Sequence, residues 1–165
     1  MTIIGILSDT HITAPTADFN RNTARAFADC DIIVHAGDLT DMTILEAFRG
    51  KEVHAVCGNV CNSRTKADLP EMKTFVVDGF LFALCHGANG PRHNIEERLF
   101  DQYPEADCII YGHTHNPLCH RVASTLYINP GSFKGTGRYG APGTYAIATT
   151  SKTGITAKIF DLPRS

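Results

Sequence analysis

The sequence lacks an excess of either charge. Lys and Arg total 15 and Asp and Glu 17, a formal net charge of −2 at pH 7 over 165 residues. That balance supplies no basic face for sequence-specific nucleic-acid binding and no cationic helix for a membrane surface. No apolar run approaches the roughly 20 residues of a membrane span. The segment Met1 to Ser8 has no basic start and no small-residue cleavage site, so it reads as a first strand and the expected location is the cytoplasm. CxxC pairs are also missing. The six cysteines, Cys30, Cys57, Cys61, Cys85, Cys108 and Cys119, mostly sit in or beside apolar runs. This argues against a zinc finger and for free thiols packed as small hydrophobes in a reducing compartment. Internal repeats, low-complexity segments and linkers are absent. A chain of this length is most simply one domain, residues 1–165, able to bury a real core.

What the chain does contain is a series of apolar runs, each ending in a polar residue. Ile3 to Leu7 is nearly all apolar, as suits a strand covered on both faces, and leads into Ser8-Asp9-Thr10-His11. Phe19 to Cys30 has the spacing of an amphipathic helix. Asp31 to Ala36 reads as a second buried strand ending in Gly37-Asp38. Thr43 to Arg49 reads as a short helix with Asp41 or Thr43 as its N-cap and Gly50 as its stop. Glu52 to Cys57 is a third strand, followed by Gly58-Asn59. Right-handed crossovers make these strands parallel and gather their carboxyl ends on one edge, where open α/β sheets bind ligands.

The second half differs. Thr74–Val77 and Phe80–Cys85 flank Asp78-Gly79, a strong hairpin signal, and the latter strand runs into His86-Gly87. A helix is expected over Ile95–Phe100 and a strand over Cys108–Tyr111, which ends in Gly112-His113-Thr114-His115. Strands over 118–122, 126–128, 145–149 and 155–160 then come close together with turns, which argues for antiparallel pairing. The expected fold is α/β, with two packed mixed β-sheets flanked by helices in a four-layer αββα sandwich.

Seven residues stand at these strand ends: Asp9, His11, Asp38, Asn59, His86, His113 and His115. They are carboxylates, imidazoles and one carboxamide, donors that suit Mn²⁺, Zn²⁺, Fe or Ni²⁺. Any one of them has an ordinary reading as a cap, a turn residue or a buried imidazole. Five separate segments delivering such residues to one edge point instead to a metal site.

The ordered blocks Asp9-x-His11, Gly37-Asp38, Gly58-Asn59, His86-Gly87 and Gly112-His113-Thr114-His115, with Asn129-Pro130-Gly131-Ser132 after them, resemble the calcineurin-like metallophosphoesterases. The nearer resemblance is to their small YfcE-type phosphodiesterases. The resemblance implies a cytoplasmic hydrolase with a binuclear metal centre, Mn²⁺ placed first and Ni²⁺, Zn²⁺ or Fe as other fits. Asp9, His11 and His115 would hold one cation, Asn59, His86 and His113 the other, and Asp38 would bridge them, as a carboxylate can across roughly 3.5–4 Å. A water held between the cations would act as hydroxide on a small phosphodiester, with Asn59 also touching the phosphate. Proteins of this type often self-associate, and the sequence leaves open whether this chain forms a homo-oligomer.

The sequence departs from that pattern outside the ligands. After Asn59 stand Val60, Cys61 and Asn62 where relatives carry a His, or Cys followed by Asp, and Ala88 follows His86-Gly87 where a second His is common. Val60 cannot protonate a leaving group, which favours a diesterase over a phosphomonoesterase. His93 is a candidate proton donor; His35 is expected to be buried and hydrogen-bonded, and His54 and His120 structural or superficial. Arg138 and Tyr139, in the glycine-rich stretch 131–143, suggest a lid or interface loop. The competing reading is a non-catalytic scaffold of the same fold, resembling the retromer subunit.

Overall fold

The structure is a computed structural model that describes residues 1–135 and 141–163. Arg138 and Tyr139 lie outside the described residues. Ten strands form two five-stranded mixed sheets. In the first, β1 (Ile3–Leu7), β2 (Ile32–His35) and β3 (Glu52–Ala55) run parallel, and β9 (Thr144–Ser151) and β10 (Gly154–Asp161) complete the order β10-β9-β1-β2-β3. The second contains β4 (Met72–Val77), β5 (Phe80–Cys85), β6 (Cys108–Ile110), β7 (Leu118–Val122) and β8 (Thr125–Asn129), in the order β4-β5-β6-β8-β7.

Side-chain alternation along the strands creates the layers. Ile4 and Ile6 of β1 point into the space between the sheets, where they meet Val34, Phe82, Leu84, Ile110 and Ile128. Ile3 and Leu7 point the other way, toward a cluster containing Phe19 and Phe27 of the α1 region (Ala17–Ala26) and Ile44 and Phe48 of a 3₁₀ segment, Met42–Phe48. On the outer face of the second sheet, Ala83, Ile109 and Tyr127 pack against Ile95 and Leu99 of α3 (Ile95–Gln102). The result is helix, sheet, sheet, helix. No helix among the described residues is long and apolar enough to cross a membrane.

Several expectations need correction. The helix expected over 19–30 begins earlier, because the Thr16 side chain accepts the Phe19 N–H, and ends at Ala26. The short helix expected over 43–49 is a 3₁₀ segment, Met42–Phe48, and of its two candidate caps Asp41 is the one used. A helix not anticipated, α2 (Ser63–Asp68), is capped by Asn62, whose Oδ1 accepts the Thr65 N–H. The second half is less antiparallel than expected. The β4–β5 hairpin forms at Asp78-Gly79, both at positive φ, and β7 pairs antiparallel with β8, but β5, β6 and β8 run parallel. The α3 crossover between β5 and β6 imposes this, as any β-helix-β unit does. The last hairpin returns to the first sheet, where β9 lies antiparallel to β1.

Candidate metal centre

Each sheet sends the carboxyl ends of three parallel strands to the same edge. From the first sheet, β1 exits at Asp9 and His11, β2 at Asp38 and β3 at Asn59; from the second, β5 exits at His86 and β6 at His113 and His115. Six of these seven residues, all but Asn59, gather across the seam between the sheets.

The backbone that presents them is unusual. Asp9, His11, Asp38, His113 and His115 all adopt positive φ, between 49° and 66°. Non-glycine residues reach this region only at a cost of about 1–3 kcal/mol, which surrounding structure must over-determine. Backbone hydrogen bonds do so here: Asp9 N to Gly37 O (3.0 Å), His11 N to Asp38 O (3.1 Å), Gly112 N to His86 O (3.1 Å). Gly112 allows the two sheets' loops to touch, because a Cβ there would overlap Ser8 Oγ and crowd Asp9 Oδ2.

Two ligand-like groups result, Asp9 with His11 and His115, and Asp9 with Asp38 and His86. His115 Nε2 is 3.0 Å and His11 Nε2 3.6 Å from Asp9 Oδ1, and the two imidazole nitrogens are 3.2 Å apart. His86 Nε2 lies 3.1 Å from Asp38 Oδ2 and 4.0 Å from the same Asp9 Oδ1. Asp9 is thus common to both groups, while Asp38, expected between two cations, falls in the second. The His113 ring packs edge-on against His86 at 5.2 Å, with Arg92 Nε 3.3 Å from its Nε2. Asn59 stands apart: it is exposed and lines a cavity that also reaches His86.

Supporting contacts aim the donors. His113 N–H and Ser8 Oγ–H both donate to Asp9 Oδ2, which leaves Oδ1 turned to the histidines. Val60 N–H donates to Asp38 Oδ1 at 2.8 Å, which leaves Oδ2 for His86. His86 Nδ1 sits 2.8 Å from Ala36 O; only its N–H can face a carbonyl, so Nε2 is the nitrogen left to face the carboxylates. That Nε2 is buried and faces two carboxylates, Asp38 and Asp9. Two carboxylates converging on one imidazole nitrogen call for positive charge there, which a proton on Nε2 or a bound cation supplies.

Ionisation follows the same logic. Burial alone would raise the Asp9 carboxyl, but hydrogen bonds from His11 and His115, the charge of His86 and the Ser8 hydroxyl pull it far below the usual carboxylate range. Asp38 shifts down in the same way, burial being outweighed chiefly by His86. Burial would lower His86, yet Asp38 and Asp9 raise it. The site attracts a cation. The donor set fits divalent metal ions: nitrogen and hard oxygen, no thiolate, with the tautomer of His86 fixed by a backbone carbonyl.

His35 is fully buried, as expected, with Nε2 3.2 Å from Thr10 Oγ1, and burial lowers it to about 3. His93 is exposed in the 3₁₀ turn Arg92–Asn94. His54 stacks on Phe75 at 3.9 Å and His120 pairs with Glu96. Sequence reasoning missed Arg92, which no local pattern marks, and gave the 129–132 turn no definite contacts. Ser132 Oγ donates to Asp9 O (2.9 Å), and Asn129 Nδ2 donates to Gly112 O (2.9 Å) and Thr114 Oγ1 (3.0 Å).

Residues 1–153 match the calcineurin-like phosphoesterase superfamily domain. A probable metallophosphoesterase of Methanothermobacter thermautotrophicus is 33% identical over 132 residues, 79% of this chain and 76% of that protein. A Methanocaldococcus jannaschii protein named as a phosphodiesterase is 26% identical over 78% of this chain and 82% of its own length. Among solved structures, one described as a novel archaeal phosphodiesterase superposes with a TM-score of 0.75 at 25% identity, covering 96% of this chain and 99% of that one. Vps29 from Entamoeba histolytica gives 0.71 at 19% identity over 98% and 99%, a likeness of fold. The chain belongs to the calcineurin-like phosphoesterase superfamily.

Proposed function

We propose that this chain is a binuclear metal-dependent phosphodiesterase acting on a small phosphodiester. The observation that carries the reading is the buried His86 Nε2 facing Asp38 Oδ2 and Asp9 Oδ1, with His11 and His115 converging on that same Asp9 oxygen. Asp9, His11 and His115 would hold one cation; Asn59, His86 and His113 would hold the other; Asp38 would bridge them. Mn²⁺ is the first choice, with Ni²⁺, Zn²⁺ and Fe suited to the same donors. When bound, such a pair supplies Lewis acidity, acidifying water and neutralising the charge on the phosphoryl oxygens.

The chain's own residues do the rest. Ala36 O holds His86 in the tautomer that presents Nε2, and the Val60 and His113 N–H groups hold one oxygen of each aspartate so that the other faces the cations. The Asn59 carboxamide, exposed at the cavity wall, is available to a phosphate oxygen. No proton donor follows it: Val60 is apolar, and buried Cys61 receives the Gly58 N–H on its sulfur at 3.2 Å. A leaving group must therefore depart with little protonation, which favours diesters over monoesters of aliphatic alcohols.

A scaffold of the same fold is the competing reading, and metal content does not separate the two, because an Entamoeba histolytica Vps29 structure is described as a Zn²⁺ complex. Turnover does. Purified protein should contain about two divalent cations and hydrolyse bis-(p-nitrophenyl) phosphate with Mn²⁺. Asp38→Asn and His86→Ala should each lower kcat/KM by about 100-fold or more, the upper end of what loss of a ligand's supporting partner costs. Metal without turnover on any mono- or diester overturns the enzyme reading.

A further inference from the structure

A cavity of about 270 Å³ adjoins the metal centre and runs between the start of β4 and the end of α3. It meets the centre at His86 and Asn59, and Lys66, Glu71, Leu99 and Gln102 form further walls. None of those four belongs to the constellation described above. Ligand pockets usually span about 300–1,000 Å³, so this one suits a fragment rather than a whole drug-sized molecule.

The walls have unspent hydrogen-bonding capacity of both signs. Lys66 Nζ, with three donors, gives one to Asn59 O at 3.0 Å. Gln102 spends Nε2 on Met72 Sδ at 2.9 Å and keeps its Oε1 as an acceptor. Glu71 adds an exposed carboxylate. Arg98 also borders the cavity, but its guanidinium is committed to the carbonyls of Asn89 (2.6 Å) and Pro91 (3.1 Å). Leu99 and the thiols of Cys57 and Cys85 supply apolar surface; burial pushes Cys85 up to about 12, so that thiol stays neutral. A lysine and a glutamate offset one another. An uncharged group with both donors and acceptors, on an apolar ring face, satisfies all of these walls together.

We infer that this cavity is the subsite for one arm of the substrate, an uncharged hydroxyl-bearing ring of ribose or hexose size. Only the position of the phosphate rests on the phosphodiesterase reading; the cavity's ligand chemistry does not. Gln102 lines the cavity from the exposed end of α3 and belongs neither to the metal centre nor to the core, so Gln102→Trp is the variant chosen to fill it.

The test has two arms. Metal-free protein in EDTA is titrated with uridine and, separately, methyl glucoside while amide NMR shifts are followed. Shifts should move at residues 66–72 and 98–102 for at least one probe, and not in Gln102→Trp; the stronger titration identifies a nucleoside or a hexose arm. Mn²⁺-loaded protein is then assayed on p-nitrophenyl esters of uridine 5′-phosphate, of glucose 6-phosphate and of methyl phosphate. Gln102→Trp should lower kcat/KM at least 10-fold on the ester of the ring that binds and leave the methyl ester within 2-fold. No shifts with either probe, or equal loss on all three esters, overturns the subsite. Probe binding without turnover of any ester supports the subsite and overturns the phosphodiesterase reading alone.

Discussion

Asn129 carries none of the proposed chemistry, and its replacement by leucine should show how the site is held. The side chain is fully buried. Its Nδ2 donates to Gly112 O and Thr114 Oγ1, and its Oδ1 accepts the Gly131 N–H at 3.0 Å. Leucine has similar volume and fills the space but leaves the Gly131 amide without its partner and removes one of two donors from the Gly112 carbonyl, which keeps the Thr114 N–H at 2.7 Å. An orphaned buried amide costs about 1–3 kcal/mol and a lost hydrogen bond about 0.5–1.5 kcal/mol, so the expected loss is about 1.5–4.5 kcal/mol. For a chain of this size that is a fall in Tm of about 2–4 °C per kcal/mol. Thr114→Val removes one hydroxyl acceptor at a half-buried position and should cost under about 1 kcal/mol. Urea and thermal unfolding in EDTA, followed by circular dichroism, measure this without a metal contribution. Because the same amide ties down the loop bearing His113 and His115, Mn²⁺ affinity in Asn129→Leu should also fall by about 10–100-fold. A variant within 1 kcal/mol of wild type, with unchanged Mn²⁺ affinity, would refute the claim that this turn braces the site.

Two further outcomes are expected. With Val60 in place of a proton donor, kcat on a series of aryl diesters should fall steeply as the leaving phenol becomes more basic; a flat dependence would mean that an acid such as His93 is at work, and His93→Ala would then restore the slope. At the β4–β5 turn, hydrogen bonds from Thr150 and Thr2 to Asp78 Oδ2 hold its carboxyl below the usual range. Such a group stabilises above its unfolded pKa, about 3.9, and the benefit fades as pH falls through the lower folded value. Asn tolerates the positive φ there, so Asp78→Asn should destabilise at pH 7 and converge with wild type near pH 2, whereas a difference that is constant with pH in paired urea titrations would contradict the assignment.

Much of this was legible from strand ends. An apolar run closing in an Asp or His marks a buried strand whose exit is polar, and Asp9, Asp38, His86, His113 and His115 were all read from such exits. His35 was separable from His86 because it sits inside its apolar run, ahead of Ala36 and the Gly37-Asp38 exit. What stayed hidden depends on distant partners. The six-residue helix at Ser63–Asp68 has one buried residue, Thr65, and forms because Asn62 caps it and Thr65 Oγ1 receives the Met42 N–H, neither of which produces apolar periodicity. Parallel pairing of β6 with β8 skips over β7, an edge strand, so adjacency along the chain misleads. The proximity of Arg92 to His113 arises from a loop path with no signature of its own, and positive φ at histidines is imposed by tertiary hydrogen bonds rather than local preference.

The aspartates come from one sheet and most of the imidazoles from the other, so the reach between them is measured across the inter-sheet core. Ile6, Val34, Phe82 and Ile110 act as a spacer whose thickness sets how far carboxylate and imidazole stand apart. A methylene gained or lost there, remote from any polar atom of the site, would slide one half of the cage against the other. In this sandwich the fit of the oily interior and the alignment of the reactive edge are a single mechanical adjustment.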